Sequence, residues 1–403
     1  MEGWKEIRLK ELISEMGDGG TPSTLTEGNF GGKIPWVVVD DVKPEIYSTK
    51  DTLTEQGFKC CSAKMWDAGT IILTTGATIG KVGIAKVPLC TKQGITGIVC
   101  NEYANNLFIR YWLEANEEQL LRYAQGTTFK EIRTRPLGNL KILIPNPFTK
   151  ESVAEQTAIA AILSKVDGAI ASVQGSIAAA ERLKKSLMQN LLTGRMKPDG
   201  TLRKEDEFYV DEKFGKVPVG WEVKKVKECF KFKNGKGNTT SNLKENPDEE
   251  YCIPVFGGNG ITGYYHSALL NEPTIVIGRV GEYCGNVFQT PEKSWVTDNA
   301  MLVSEVLMKE YDINFFALKL NSLNFKLFSD STGQPKITQG SIGSVLFAYP
   351  SNVDEQNDIM SLISYISNKV QQKQNKIAVL ERLKKSLMQN LLTRRVRVKE
   401  VLT

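Results

Sequence analysis

The chain has 403 residues, 41% of them hydrophobic and 24% charged, with a formal net charge of +5 and a pI near 8.6. That length holds two or three domains with cores of their own, and the mild basicity permits a polyanionic partner without requiring one. A single histidine, His266, and seven scattered cysteines (Cys60, Cys61, Cys90, Cys100, Cys229, Cys252, Cys284) with no CxxC pair leave little from which to build zinc sites, Ser-His-Asp triads or Cys-His dyads.

The N-terminus, MEGWKEIRLKEL, lacks the apolar core of a signal peptide, and no apolar run approaches a membrane span, so a cytoplasmic location is expected. Residues 1–150 read as a mixed α and β domain. Strands are predicted at 33–40, 70–75, 81–87 and 141–145, rich in β-branched residues and bounded by glycines, and a helix at 105–125. A long helix follows over 151–194. From Ile159 its apolar positions run Leu163, Val166, Ile170, Val173, Ile177, Ala180 in steps of four and three, a heptad seam read as continuing through Leu183, Leu187 and Leu191.

A polar, charge-mixed linker is predicted over 195–216 and a second mixed domain over 217–350, with strands at 274–278 and 345–350 and a helix at 310–329. The second long helix, 351–396, has its seam at Ile359, Ile363, Ile366, Val370, Lys373, Ile377 and Leu380, then Leu383, Leu387 and Leu391. Lys373 is the polar seam residue, either a register pin or a stem lying along the seam with its ammonium in water.

The chain repeats itself. ERLKKSLMQNLLT stands at 181–193 and again at 381–393; Glu155-Gln156 recurs as Glu355-Gln356, Gly3-Trp4 as Gly220-Trp221, and IRTRPLGNLKILIP (132–145) is echoed by ITQGSIGSVLFAYP (337–350). If the second domain's termini lie close together, the second helix runs back along the first. The expected fold is therefore α+β: two mixed α/β domains separated by two long helices in an antiparallel coiled coil, with a pseudo-two-fold internal repeat.

Catalytic motifs are not found. TGATIGKV (75–82) has three residues between its glycines where a P-loop needs four, and lacks the Ser or Thr that holds magnesium. Gly257-Gly258-Asn259-Gly260 does not open a helix. Asn146-Pro147-Phe148 lacks the second proline of amino-methyltransferases, and Pro198-Asp199 with Asp211-Glu212-Lys213 lies in the linker with no strand to position a nuclease site. No catalytic or metal site is expected.

Several stretches resemble one family, the specificity (HsdS) subunits of Type I restriction-modification systems: GGTPS (19–23), GGKIPW (31–36), GATIGKVG (76–83), IPVFGGNGITGYY (253–265), TIVIGRVGEYCG (274–285), the Glu-Gln opening of each helix and the LLTGR ending of the first. The second helix ends LLTRR instead. The resemblance covers nearly the whole chain. It implies two target recognition domains on an antiparallel helical spacer, and a complex on double-stranded DNA with two modification subunits that carry S-adenosylmethionine. Restriction subunits, working with ATP and magnesium, can join. This chain would be a non-catalytic DNA-binding subunit without a cofactor of its own. It would read an asymmetric, bipartite site, one half per domain.

Within that reading, the polar-basic loops are the candidate DNA contacts: Lys81, Thr127, Thr128, Lys130, Arg133 and Arg135 in the first domain, and Lys231, Lys233, Asn234, Lys236, Asn238, Arg279, Gln334 and Lys336 in the second. For each the alternative is a solvated surface charge. Met188, Gln189, Leu192 and their copies Met388, Gln389, Leu392 are candidates for docking a modification subunit, with plain helix packing the alternative. Two other functions compete: a coiled-coil scaffold joining two protein-binding domains, and the recognition part of a single-chain DNA methyltransferase, which would need the cofactor loop and catalytic motif that are missing.

Overall fold

The structure, a computed structural model, describes residues 3–126, 130–237, 242–330, 334–396 and 398. Packing divides the chain into one unit of residues 1–175 and 375–403, and another of residues 176–374. Each unit therefore holds one mixed α/β domain together with part of each long helix, Lys150–Leu192 and Val353–Leu391.

In the first unit a five-stranded sheet runs in the order Ile13–Gly17, Ile95–Cys100, Ile71–Thr74, Val82–Ala85, Glu45–Ile46. Two of its three inner strands, IILT and VGIA, are buried at every position, which explains their largely apolar character. Phe30–Val37 lies at the position predicted as 33–40, in a second sheet beside Asp51–Leu53 and Leu89–Thr91. The predicted helix 105–125 is interrupted. Asn116 (φ −118, ψ 33) separates Asn106–Ala115 from Glu117–Tyr123, and its Nδ2 donates back to the Trp112 carbonyl at 2.8 Å, competing with the helical ladder.

The second unit is built on the same plan. Its four-stranded sheet has the order Phe230–Asn234, Ala300–Val306, Ile275–Gly278, Val287–Gln289. The predicted helix 310–329 is Ile313–Ser322, stopped where Asn324 turns left-handed (φ 50) so that a 3-10 turn can bury Phe325. Segment 195–216 contributes Phe208–Asp211, paired antiparallel with Gly215–Pro218. Arg203, in the same segment, donates to Glu355 and lies over the Trp221 ring.

The sequence echoes have structural causes. Trp4 stands opposite Pro145 and Trp221 opposite Pro350 in matching antiparallel pairs. Gln156 and Gln356 are fully buried. Each accepts a hydrogen bond at 2.8 Å from a helix N-cap backbone, that of Asn105 in one unit and Asp312 in the other. A glutamine on each long helix thus ties that helix to its domain.

Ile159 and Leu163 share a core with Met388, Leu391 and Leu392 in the first unit, and Leu191 and Leu192 share one with Ile359 and Ile363 in the second. Lys373 donates to Ser176 Oγ at 2.5 Å, so this seam lysine has a polar partner on the facing helix. The expected seam fails at Leu183 and Leu383, which are 54% and 45% exposed. Steps of four and three from Ile177 and Ala180 lead to Lys184, Leu187 and Leu191, leaving Leu183 one residue, about 100°, out of phase.

Candidate nucleic-acid interface

In each unit the candidate residues are set by the loops that leave the central buried strand. Ile71–Thr74 runs into the loop 75–81, which turns through Gly80 at φ +103. Thr75 and Gly76 donate their N–H groups to the Gly94 carbonyl at 2.8 and 2.9 Å, and the Thr75 carbonyl accepts from Ile132 N–H at 2.8 Å. Gln125 and Glu131 exchange two backbone hydrogen bonds of 2.9 Å, closing the neighbouring loop. The structure thereby gathers Lys81, Lys130 and Arg133 around one strand end, all exposed, with exposed Arg135 on the short helix Thr134–Gly138 that follows. Lys81 has a distant acidic partner, Asp40 at 4.0 Å. Thr127 and Thr128 lie outside the described residues.

The second unit repeats this construction. The Arg279 carbonyl accepts from Ile337 N–H at 2.9 Å, as Thr75 does from Ile132, and Asp330 and Lys336 bridge as Gln125 and Glu131 do. Gly281 N–H donates to the Pro335 carbonyl at 2.9 Å. Arg279 is therefore placed beside Gln334 and Lys336. A Cβ on Gly278 would meet the Gly258 carbonyl at 2.2 Å, so the GGNG turn backs directly onto this strand end. Lys236 joins from another side, its N–H on the Val296 carbonyl at 2.9 Å and its carbonyl accepting from Trp295 Nε1 at 2.9 Å.

Two groups of residues fall elsewhere. Phe230–Asn234 is a strand, not part of a basic loop, because its alternate side chains pack on the core. Lys231 stands at its far end in an ion pair with Glu305 (2.8 Å), and Lys233 lies on that same side, beside Glu305 and Tyr311. Asn234 and Lys236, at the loop end, remain exposed, while Asn238 lies outside the described residues. Of the docking candidates, Leu192, Met388 and Leu392 are buried in the cores of their units, where plain helix packing accounts for them. Met188 is half-buried; Gln189 and Gln389 are exposed.

Sequence reasoning missed Asp18 and Asp298. Asp18 Oδ1 accepts from Gly94 N–H at 3.0 Å; burial pushes its carboxyl above the usual range against several backbone N–H bonds, and Glu131 adds to the rise. Asp298 supplies the carbonyl that accepts from Arg279 Nη1 at 3.3 Å. Neither acid sits in a basic stretch, the only sequence signal that marks the other candidates. Burial also pushes the Cys90 and Cys100 thiols up to about 12. Among the described residues no group of three or more His, Cys, Asp or Glu could hold a metal, and no helix is long and apolar enough to cross a membrane.

Comparison with known proteins identifies the family. Residues 1–182 and 218–382 match the model of the Type I restriction modification DNA specificity domain. The chain is 27% identical to the Type I restriction enzyme MjaIX specificity subunit of Methanocaldococcus jannaschii, over 99% of this chain and 94% of that one. It is 26% identical to the EcoprrI specificity subunit of Escherichia coli, over 94% and 90%. In fold it is similar to the crystal structure of a Type I restriction-modification S subunit from M. genitalium, with a TM-score of 0.57 at 19% identity over 96% of each chain. The chain belongs to the Type I restriction-modification DNA specificity family, the DNA-binding, non-catalytic subunits of those systems.

Proposed function

We propose that this chain reads an asymmetric, bipartite DNA site, one half through each domain, and supplies the address for a methyltransferase. One observation carries the reading. The two units hold the same pair of loops by equivalent hydrogen bonds, Thr75 to Ile132 and Arg279 to Ile337, yet present unlike side chains there. Lys81, Lys130, Arg133 and Arg135 face Arg279, Gln334, Lys336 and Lys236 in this comparison, so one scaffold displays two donor and acceptor patterns. Positive side chains would hold phosphates and the loops would read base edges in the major groove.

The long helices would pair as an antiparallel coiled coil about a pseudo-two-fold axis, a reading supported within the second unit by Lys373 on Ser176 and by Leu191 beside Ile359 and Ile363. A helix of 43 residues is about 65 Å long. That suits a spacer between half-sites about one helical turn, 34–36 Å, apart. Two modification subunits, carrying S-adenosylmethionine, would dock on the identical blocks at 181–193 and 381–393 through their exposed faces, including Gln189 and Gln389. Restriction subunits working with ATP and magnesium would join in the cytoplasm.

The test is to co-express the chain with a modification subunit and map methylated adenines across a genome. A single gapped motif is expected, and exchanging residues 217–350 for another recognition domain should change only one half of it. A change in both halves defeats the modular reading. Duplex affinity should also fall linearly on a log–log plot against salt, with a slope of about −0.9 per phosphate neutralised. A salt-independent affinity would instead favour a protein-binding scaffold.

A further inference from the structure

From the loop cluster of the second unit a row of rings continues along the hairpin Ile253–Gly257 and Gly260–Tyr265. Lys236 Nζ lies 6.0 Å from the Trp295 ring and Trp295 lies 5.5 Å from Tyr265. Tyr265 is 4.1 Å from His266, which is 5.7 Å from Tyr251. Lys244 Nζ sits 4.2 Å over the Tyr251 ring. None of these rings is buried: Tyr251, Tyr265 and Trp295 are half-exposed, and His266 is fully on the surface. Four rings in contact, each with a face or edge in water, forgo much of the burial that makes aromatic residues worth having in a core.

Between the rings lies an open hollow of about 390 Å³, lined by Asn242, Leu243, Lys244, Tyr251, Tyr265 and His266. Its chemistry is that of a nucleotide site. Lys244 lies 4.2 Å over the Tyr251 ring and Tyr265 packs against His266, so the ring surface left to a ligand is mainly that of the exposed His266; the Asn242 amide offers both a donor and an acceptor, and the Lys244 ammonium at the rim is paired with Asp248 at 2.6 Å. Ring faces can stack only on a base whose own face is free. In an intact duplex every base face is covered by its neighbours, so this hollow suits a base that has left the stack.

We propose that the hollow takes one unstacked nucleotide of the bound DNA, its base against His266 and Tyr265 and its phosphate toward Lys244. The proposal rests on the DNA-reading function above and adds a contact that is not an edge-reading one. Its test uses the full chain, fluorescein-labelled dT12 as the single-stranded probe and a labelled duplex in parallel, followed by anisotropy. The parent chain is expected to bind dT12. His266→Ala and Tyr251→Ala should each weaken that binding about fivefold or more, and His266→Phe, which keeps a ring, should hold it within about twofold. Duplex affinity should fall by less than dT12 affinity in the two alanine variants, because an intact duplex must first unstack a base before the hollow can take it. Undiminished dT12 binding by H266A and Y251A, or an equal loss in H266F, overturns the stacking site while leaving duplex reading intact. A parent chain that binds neither DNA overturns both.

Discussion

Lys384→Ala should destabilise the first unit by about 3 kcal/mol, whereas Lys184→Ala, the same change in the same thirteen-residue block, should cost no more than about 0.5 kcal/mol. The two lysines have identical sequence neighbours from residue −3 to +9 but different surroundings in space. Lys384 is 13% exposed and reaches Glu114 at 2.6 Å and Asp167 at 2.8 Å. Arg110, 3% exposed, binds the same two carboxylates at 2.9 Å each, and Tyr111 donates to Asp167 at 2.7 Å. Removing Lys384 leaves two partly buried acids to one buried guanidinium in the wall of a cavity, and an undercompensated charge is what makes such a deletion expensive. Lys184 forms no ion pair among the described residues. The equivalent network is missing there because the second unit's helix Ile313–Ser322 carries Ala317 and Leu318 where the first has Arg110 and Tyr111. Denaturant unfolding of the full chain, with hydrogen exchange across Asn106–Ala115 to assign the transition, measures both variants. Equal losses would mean the network contributes nothing.

The same network fixes the sign of an acid dependence. Burial raises the Asp167 pKa, but hydrogen bonds from Lys384, Tyr111 and Arg110 outweigh it and hold the carboxyl below its ordinary 3.8. The unfolded chain then takes up the proton before the folded one does. The stabilisation from Asp167 is present above about pH 4 and is lost as pH falls through its lowered folded value.

What was legible in the sequence was what is periodic or repeated. Steps of four and three mark the long helices because a helix face returns at that interval, and a duplicated block declares a duplicated structure without any knowledge of contacts. Phase was less legible. A seam drawn through the leucines takes in Leu183 and Leu383, yet the interval assigns that position to Lys184 and Lys384, and the exposure of both leucines follows the interval. Composition misled again at 230–238, where lysines and a glycine suggested a loop: Phe230 and Phe232 alternate with Lys231 and Lys233 as in a strand with one face on the core, and only Gly235 onward leaves it. Contacts between distant loops were beyond reach. Nothing local to Thr75 announces that its carbonyl will meet Ile132, or that Arg279 will meet Ile337, and those two bonds are what hold the candidate loops together.

Lys319→Met should make the second unit more stable than the parent near pH 6 by a few kcal/mol, with the advantage disappearing toward pH 10. Lys319 is 5% exposed on the helix Ile313–Ser322. Its ammonium donates to the Leu192 carbonyl, where the first long helix ends, and lies 5.3 Å from the Trp221 ring. Arg203 lies over the same ring at 5.6 Å and is neutralised by Glu355, so no carboxylate is left to compensate Lys319. Burial lowers its pKa from 10.5 to about 7. Between those values the unfolded chain holds a proton that the folded chain has released, so stability rises with pH at up to about 1.4 kcal/mol per unit. The cost of burying the charge is complete below pH 7 and is relieved as pH climbs from 7 toward 10.5. Methionine has a similar length and no charge, so it removes that cost at every pH and gives up one hydrogen bond, worth about 1 kcal/mol, to the helix end. The stability difference between variant and parent should therefore slope downward with pH and change sign near the top of the range. Urea unfolding at pH 6, 7.5, 9 and 10 reads it directly. A difference that stays flat would mean that Lys319 keeps its proton at all four values, and that the Leu192 carbonyl and the Trp221 face together replace the water it has lost.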